Sequence, residues 1–141
     1  MEEKIKVTQI IKDLIERSWD AIKQRRVLEF PFVSKSGNVG SREIKPYMVY
    51  INDKKEIKVV GLPRPLWDCL INKRHPGQYL LEKIDLNQMK VLSKTFIDPG
   101  VPKNIVVSTK KVKIICRFFY NNQVFQEAAS NWLKIEGLDL I

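Results

Sequence analysis

The chain has 141 residues, 44% of them apolar and 29% charged, and this composition describes a folded domain rather than a disordered segment. No apolar run approaches the ~20 residues that a membrane-spanning helix needs, and the charged start MEEKIK is unlike a signal peptide. The two cysteines form no CxxC pair, so neither a metal site nor a disulfide framework is indicated. We expect a cytoplasmic protein that uses no cofactor and does not associate with membranes.

The charge balance is strongly basic, with 25 Lys and Arg against 16 Asp and Glu, or +9. Such a charge favours an anionic partner, because the summed field of a protein guides its encounter with phosphates. The basic residues are spread along the chain and are densest in KQRR (23–26) and STKKVK (108–113). At this point, a charge that only keeps the protein in solution is an equal alternative.

The first predicted element is an amphipathic helix over residues 8–25. Thr8 lies near its start, and the cations of KQRR suit its C-terminal end. Pro31 and the segment SKSGNVG (34–40) break the chain soon afterwards, so the sequence does not predict a helix-turn-helix. The residues of its apolar stripe are Val7, Ile10, Ile11, Leu14, Ile15, Ser18, Trp19 and Ile22.

Beyond Val27 the pattern becomes typical of strands. The segments SGNVG and NDKK are suited to tight turns, and Pro46 predicts an edge position or a bulge in its strand. Five short strands with tight turns predict a small antiparallel barrel, because a closed sheet leaves no exposed edge. The five predicted strands are VLEF (27–30), EIKPYMVYI (43–51), EIKVVG (56–61), QYLLEKI (78–84) and QMKVLSKTF (88–96).

Two further segments complete the chain. The long connection LPRPLWDCLINKRHP (62–76) is of a length that is usually functional or disordered. After the linker DPGVPKN (98–104), KKVKIICRFF (110–119) predicts a strand, and the apolar spacing over 124–133 predicts a helix that ends at Gly137. We therefore divide the chain at residue 98, into a helix-and-barrel domain (1–98) and a small extension (99–141) that packs on the domain or on another copy.

Three short patterns follow the helix segment SWDAIKQRRVLEF (18–30) in a fixed order. Their order and spacing are more informative than any one pattern alone. Together they resemble the WYL domain of bacterial regulators over about residues 18–98. Arg42 and Pro46 match the family's Arg-x-x-x-Pro, and residues 81–84 stand where the family has Leu-Asp-Arg-Ile. The three patterns are SREIKPYMVY (41–50), EIKVVGLPR (56–64) and GQYLLEKIDLNQMKVL (77–92).

The sequence also departs from the family's pattern. Val59, Val60 and Gly61 fall where the strand that carries the naming Trp-Tyr-Leu ends, but the triplet itself is replaced by Ile-Lys-Val (57–59). Gly77 stands where an arginine is expected, and the last arginine of the pattern is Lys83. We therefore expect a divergent relative of the family, and a standalone one.

The resemblance implies an α+β fold, with an SH3-like (Sm-like) five-stranded barrel, an N-terminal helix and a C-terminal strand-helix extension. It also implies a regulatory sensing module that recognises single-stranded nucleic acid or a small anionic ligand. It selects Arg42 and Lys83 as anion contacts, and Arg64, Arg74 and His75 join them by their position on the long connection. A solvated charge, or one arm of a weak surface ion pair, is the plain alternative for each.

The sequence supports catalysis poorly, because one histidine and scattered carboxylates offer no acid–base set. Cys69 and His75 lie in one connection, but no third group is evident to orient them. We therefore expect no enzymatic activity.

A protein–protein interaction subunit, or a homodimer whose terminal helices dock on a partner, remains the alternative function. Trp67 and Tyr79 suit either stacking on a base or core packing.

Overall fold

The structure, a computed structural model, describes residues 5–33, 36–100, 112–121, 124–130 and 138–140. It has an α+β architecture, in which a helix precedes an antiparallel sheet. The elements are β1 (Ile5–Val7), α1 (Gln9–Gln24), β2 (Arg26–Val33), β3 (Val39–Asn52), β4 (Ile57–Pro63), β5 (Gly77–Leu80), β6 (Lys90–Thr95), β7 (Val112–Asn121), β8 (Val124–Ser130) and β9 (Leu138–Leu140).

The predicted helix is confirmed. Thr8 caps it, because the Thr8 hydroxyl accepts a hydrogen bond of 3.2 Å from the Ile11 N–H. The helix ends where Arg25 takes the left-handed conformation (φ 55°), as helix C-termini often do. Ile10, predicted in the apolar stripe, is 59% exposed instead, because the buried face begins one turn later. The buried residues of α1 are Leu14, Ile15, Ser18, Ala21 and Ile22.

Arg17 ties α1 to the chain segment before β6. Its guanidinium donates hydrogen bonds to the carbonyl oxygens of Leu86 (2.7 Å) and Met89 (3.1 Å).

At 16 residues α1 is shorter than a membrane-spanning helix, and no other helix in the described part of the chain is long and apolar enough to cross a membrane.

The five predicted strands form one antiparallel sheet in the order β5-β4-β3-β2-β6. The long strand β3 pairs with a third strand, β7, because one of its edges is shared by two partners. Its first part pairs with β2, from Val39 to Ile44, and its last part pairs with β7, from Met48 to Asn52, while β4 lies along the other edge. The predicted tail strand, β7, therefore belongs to the same sheet as the predicted barrel strands.

A bulge lies beside Pro46, one of the two alternatives (an edge position or a bulge) that the sequence predicts there. The register between β3 and β4 shifts between Pro46 and Met48, and Pro46 lies opposite Gly61. On the other edge of β3, Pro46 falls between the end of the β2 ladder and the start of the β7 ladder. The missing N–H of proline is tolerated at such a position. The backbones approach so closely that a Cβ on Gly61 would lie 2.8 Å from the carbonyl oxygen of Lys45.

The predicted closed SH3-like barrel is not confirmed, because no pairing joins β5 to β6 among the described residues. The strand predicted over 78–84 is also too long. It ends at Leu80, and a 3-10 turn follows over Leu81–Lys83, in which the Ile84 N–H donates to the Leu81 carbonyl (3.0 Å). Leu81 and Ile84 are both buried, and a spacing of three suits a turn rather than an alternating strand.

The predicted C-terminal helix over 124–133 is wrong within the described residues, because Val124–Ser130 form strand β8, which pairs antiparallel with β7. Residues four apart lie on one face of a helix, but they also lie on one face of a strand. The apolar spacing of this segment therefore suits both structures, and pairing with β7 decides between them. Trp132, Leu133 and Gly137 lie outside the described residues. The division of the chain at residue 98 stays a prediction.

Candidate functional site

The two faces of the sheet carry different basic clusters. Arg42 lies directly opposite Phe30 in the β2–β3 register, and Glu43 lies opposite Glu29. Paired residues share a face of an antiparallel sheet, and consecutive residues point to opposite faces. We call the face that carries the buried Phe30 the inner face, and the face that carries Glu43 the outer face.

On the inner face, Arg42 lies against an aromatic group that we call the Arg42 cluster, formed by Phe30, Phe32, Arg42 and Tyr79. The guanidinium carbon lies 5.5 Å from the centroid of the Phe32 ring. Phe32 in turn meets Tyr79 edge to face, with ring centroids 5.2 Å apart. Arg42 is half-buried, and within the described residues no carboxylate forms a salt bridge with it. The cluster therefore presents a guanidinium whose charge is not paired there.

The Tyr79 side chain fills the space beside Gly77. A Cβ on Gly77 would clash with the phenol oxygen of Tyr79, so the tyrosine ring occupies the space of a side chain at position 77. Burial raises the pKa of the Tyr79 phenol, and the charge of Arg42 opposes that shift. Arg42 is therefore close enough to Tyr79 to act on its titration.

On the outer face, Glu43 accepts hydrogen bonds from two cations. Arg64 binds one of its carboxylate oxygens, and the Lys94 amine lies 3.3 Å from the other. The hydrogen bond from Arg64 lowers the pKa of Glu43; desolvation opposes the shift and Lys94 adds to it. Arg64, predicted as an anion contact, thus already pairs with a carboxylate.

Trp67 is in contact with two lysines. The amines of Lys45 and Lys94 lie 4.7 Å and 5.8 Å from the centroid of the Trp67 ring, within the range of cation–π attraction. The indole N–H donates to the carbonyl oxygen of Leu62 (2.7 Å), which fixes the ring against the end of β4. The set Glu43, Lys45, Arg64, Trp67 and Lys94 is called the Trp67 cluster below.

Lys45 is the most enclosed cation of the Trp67 cluster. Burial lowers the pKa of its amine, and the nearby charge of Arg74 lowers it further. The carboxylates of Asp68 and Asp98 act in the opposite direction. The charges of this surface are therefore mixed. Next to Glu43, two cations face one carboxylate, whereas around Lys45 there are carboxylates as well as a cation.

Arg74 holds the long connection in place. Its guanidinium donates to the carbonyl oxygen of Cys69 (2.7 Å) and to that of Gly100 (3.4 Å), so it bridges two separate segments of the chain. The connection itself contains two short 3-10 turns, Arg64–Leu66 and Ile71–Lys73. A structural role for Arg74 is thus visible, and its predicted contact with a ligand stays a prediction.

The five predicted site residues do not form one patch. Arg42 lies on the inner face, and Arg64 pairs with Glu43 of the outer face. His75 is exposed beside Arg74, and Lys83 is exposed at the end of the turn that follows β5. Their roles in binding stay predictions.

The sequence did not predict site roles for Glu43, Lys45 and Lys94. Strand alternation was the available signal for the first two, because residues 43 and 45 share the face opposite Arg42. No sequence signal predicts that Lys45 and Lys94 both contact Trp67, because these contacts depend on the path of the long connection. Among the described residues, no group of three or more His, Cys, Asp or Glu side chains is arranged to hold a metal ion.

Comparisons with known proteins show the fold alone. No family model matches the chain, and no curated protein matches it. Among solved structures, the chain is similar to the proteasome accessory factor B/C (PafBC) of Arthrobacter aurescens, with a TM-score of 0.51 and 17% sequence identity. The match covers 67% of this chain and 13% of the PafBC chain. The chain thus shares its fold with a small part of that protein.

Proposed function

We propose that this chain is a WYL-like sensing module with a regulatory role, which binds an anionic ligand beside Arg42. The ligand is single-stranded nucleic acid or a small anion. The half-buried guanidinium of Arg42 carries the proposal, because no carboxylate among the described residues neutralises it. Support comes from the sequence resemblance, which selects Arg42, and from the fold shared with part of PafBC.

The chemistry of the Arg42 cluster suits a phosphate. A guanidinium that lies over an aromatic ring keeps the N–H groups along its edge available, and their planar fork matches two oxygens of a phosphate or carboxylate. The aromatic surroundings reduce the screening of its charge, which strengthens an ion contact. Tyr79 is only 6% exposed, so any stacking on a base falls to Phe32, which is partly exposed.

The finer description of the fold is also part of this proposal. We infer that the sheet is an open SH3-like barrel, because Tyr79 of β5 reaches Phe30 and Phe32 of β2 although two strands separate them in the sheet order. Such contacts require the sheet to curl towards its inner face. Arg42 then lies among the side chains that the curl brings together.

We further propose that the protein is not an enzyme. The thiol of Cys69 lies 3.7 Å from the carbonyl oxygen of Pro65, and among the described residues no hydrogen bond joins it to His75. Burial raises the pKa of Cys116 to about 12, so this thiol is protonated and unreactive at neutral pH. Neither cysteine therefore has the activated environment that a nucleophile needs.

A protein-interaction subunit is the second candidate. Val33 and Val39 form a cross-strand pair near the end of the β2–β3 hairpin, and they are 57% and 76% exposed. Exposed apolar side chains at a sheet end favour contact with another protein. Sedimentation over a range of concentrations tests this candidate, because self-association would appear as a concentration-dependent mass.

The proposed ligand binding is tested with a labelled single-stranded oligonucleotide, oligo(dT), in titrations at several salt concentrations. Binding should weaken with salt, with a log–log slope of about −0.7 for each phosphate that is neutralised. Replacing Arg42 and Lys83 by glutamine should flatten the slope by about 0.7 for each lost phosphate contact.

The matched control replaces Lys23 and Lys54 by glutamine, which removes the same charge from α1 and from the β3–β4 turn. The proposal requires that this control keep a slope closer to that of the wild type. Equal slopes for the two double variants would show that only net charge matters. A wild-type protein that binds no oligonucleotide and no small anion would leave the interaction subunit as the better account.

A further inference from the structure

We infer that Glu43 is an internal substitute for a phosphate group, and that Arg64 and Lys94 form a second anion site on the outer face. This goes beyond the proposed function, because Arg42 lies on the opposite face of the sheet. In this account Glu43 competes with a phosphate-bearing ligand for the same two cations. The site is thus partly occupied by the protein's own carboxylate until the ligand arrives.

The geometry around Glu43 supports this inference. Arg64 and Lys94 bind different oxygens of the one carboxylate, so the two cations already grip an anion from two directions. The Glu43 side chain is only 14% exposed, whereas those of Arg64 and Lys94 are 62% and 47% exposed. The carboxylate therefore lies beneath its partners, and both cations remain accessible to a second anion from the solvent.

Trp67 adds a further contact to this ion-pair site. Its ring lies within cation–π range of the Lys94 amine and, separately, of the Lys45 amine, so it helps to hold the Lys94 side chain in place. A phosphate monoester carries up to two negative charges and three acceptor oxygens at neutral pH, against one charge and two oxygens for Glu43. A nucleic-acid phosphodiester matches the carboxylate, with one charge and two free oxygens, and its neighbouring phosphates add further charge along the strand. Either kind of phosphate can therefore replace Glu43 between Arg64 and Lys94.

The test compares Glu43→Gln with Glu29→Gln. Glu29 lies directly opposite Glu43 on the same face, so both changes remove one negative charge from the same surface. Within the described residues Glu29 forms no salt bridge with Arg64 or Lys94. Glu43→Gln should tighten the binding of oligo(dT) about two- to five-fold, as expected for the release of competing exposed ion pairs, and Glu29→Gln should have a clearly smaller effect.

The source of the phosphate is distinguished by competition with inorganic phosphate. If inorganic phosphate displaces the oligonucleotide more effectively from Glu43→Gln than from the wild type, the site takes a free phosphate; if only the oligonucleotide gains, it takes a nucleic-acid phosphate. Both results support the inference. Equal effects of Glu43→Gln and Glu29→Gln, or no gain for either probe, would overturn it.

Three further variants separate this site from that of Arg42. Adding Arg64→Gln to Glu43→Gln should abolish the gain, and the exposed position of Arg64 makes this change safe for folding. Trp67→Phe should remove the ligand-induced change in indole fluorescence if Trp67 adjoins the bound phosphate. Arg42→Gln should leave the Glu43→Gln gain intact, so failure of one site is recognised independently of the other. A gain that survives Arg64→Gln would also overturn the inference.

Discussion

Tyr79 of β5 meets Phe30 of β2 edge to face, with ring centroids 5.2 Å apart, although β4 and β3 lie between these strands in the sheet. Both rings are buried, with Phe30 completely enclosed. This contact links the two sides of a sheet in which, among the described residues, β5 and β6 are not paired with each other. The curl of the sheet, and with it the position of the Arg42 cluster, therefore depends on aromatic packing rather than on a closing hydrogen-bond ladder.

Removing the Phe30 ring should therefore be costly. We expect Phe30→Ala to lower the free energy of unfolding by about 3–5 kcal/mol, the range for emptying a large aromatic core site. Val39→Ala, at a position that is 76% exposed, should change it by less than about 0.5 kcal/mol. Urea denaturation measures both. A similar small loss for both variants would show that the Phe30–Tyr79 contact does not stabilise the fold.

Gly61 and Gly40 offer a second matched comparison. A Cβ on Gly61 would lie 2.8 Å from the Lys45 carbonyl oxygen and 3.0 Å from the Pro46 Cα, and backbone atoms at the bulge have little room to move. A Cβ on Gly40 would meet its nearest neighbour, the Arg42 guanidinium, at 3.9 Å. Gly61→Ala should therefore destabilise the protein by about 1–3 kcal/mol, and Gly40→Ala should be neutral or slightly stabilising. Thermal unfolding of the two variants checks this, and equal midpoints would contradict it.

The ion pairs of Glu43 predict a pH dependence. Arg64 lowers the pKa of the Glu43 carboxyl below its usual 4.5 in the folded protein. A depressed carboxyl pKa stabilises the folded state above the unfolded pKa, and this contribution is lost as the pH falls through the folded pKa. The stability difference between wild type and Glu43→Gln should therefore be largest near neutral pH and shrink below about pH 4.5. Chemical denaturation across this range tests the sign, and a difference that grows towards acid would refute it.

Much of the fold follows from local signals in the sequence. Thr8 caps α1 where the sequence predicts its start, and a bulge lies beside Pro46, where the sequence predicts a bulge or an edge position, because a cap and a missing N–H act on their immediate neighbours. The segment at 124–130 could not be assigned in this way. Its apolar spacing fits both a helix and a strand, and only the long-range pairing with β7 selects the strand.

The candidate sites follow from the sequence less completely. Arg42 was selected by resemblance, and the structure places it beside Phe32, while its binding role stays a prediction. The separation of Arg42 from Arg64 depends on the β2–β3 register, which puts Arg42 and Glu43 on opposite faces, and on the ion pair between Arg64 and Glu43; composition contains neither. Glu43 and Lys94 are 51 residues apart and meet only because β6 returns to pair beside β2.

The central claim is that an anionic ligand binds at Arg42, and a titration of isotope-labelled protein with oligo(dT), followed by amide chemical shifts, tests it most directly. We expect saturable shifts concentrated on the strands of the Arg42 cluster, at residues 30, 32, 40–44 and 77–80, and their loss in Arg42→Gln. Shifts confined to the Val33–Val39 hairpin end, or an absence of saturable shifts at these strands, would contradict the claim.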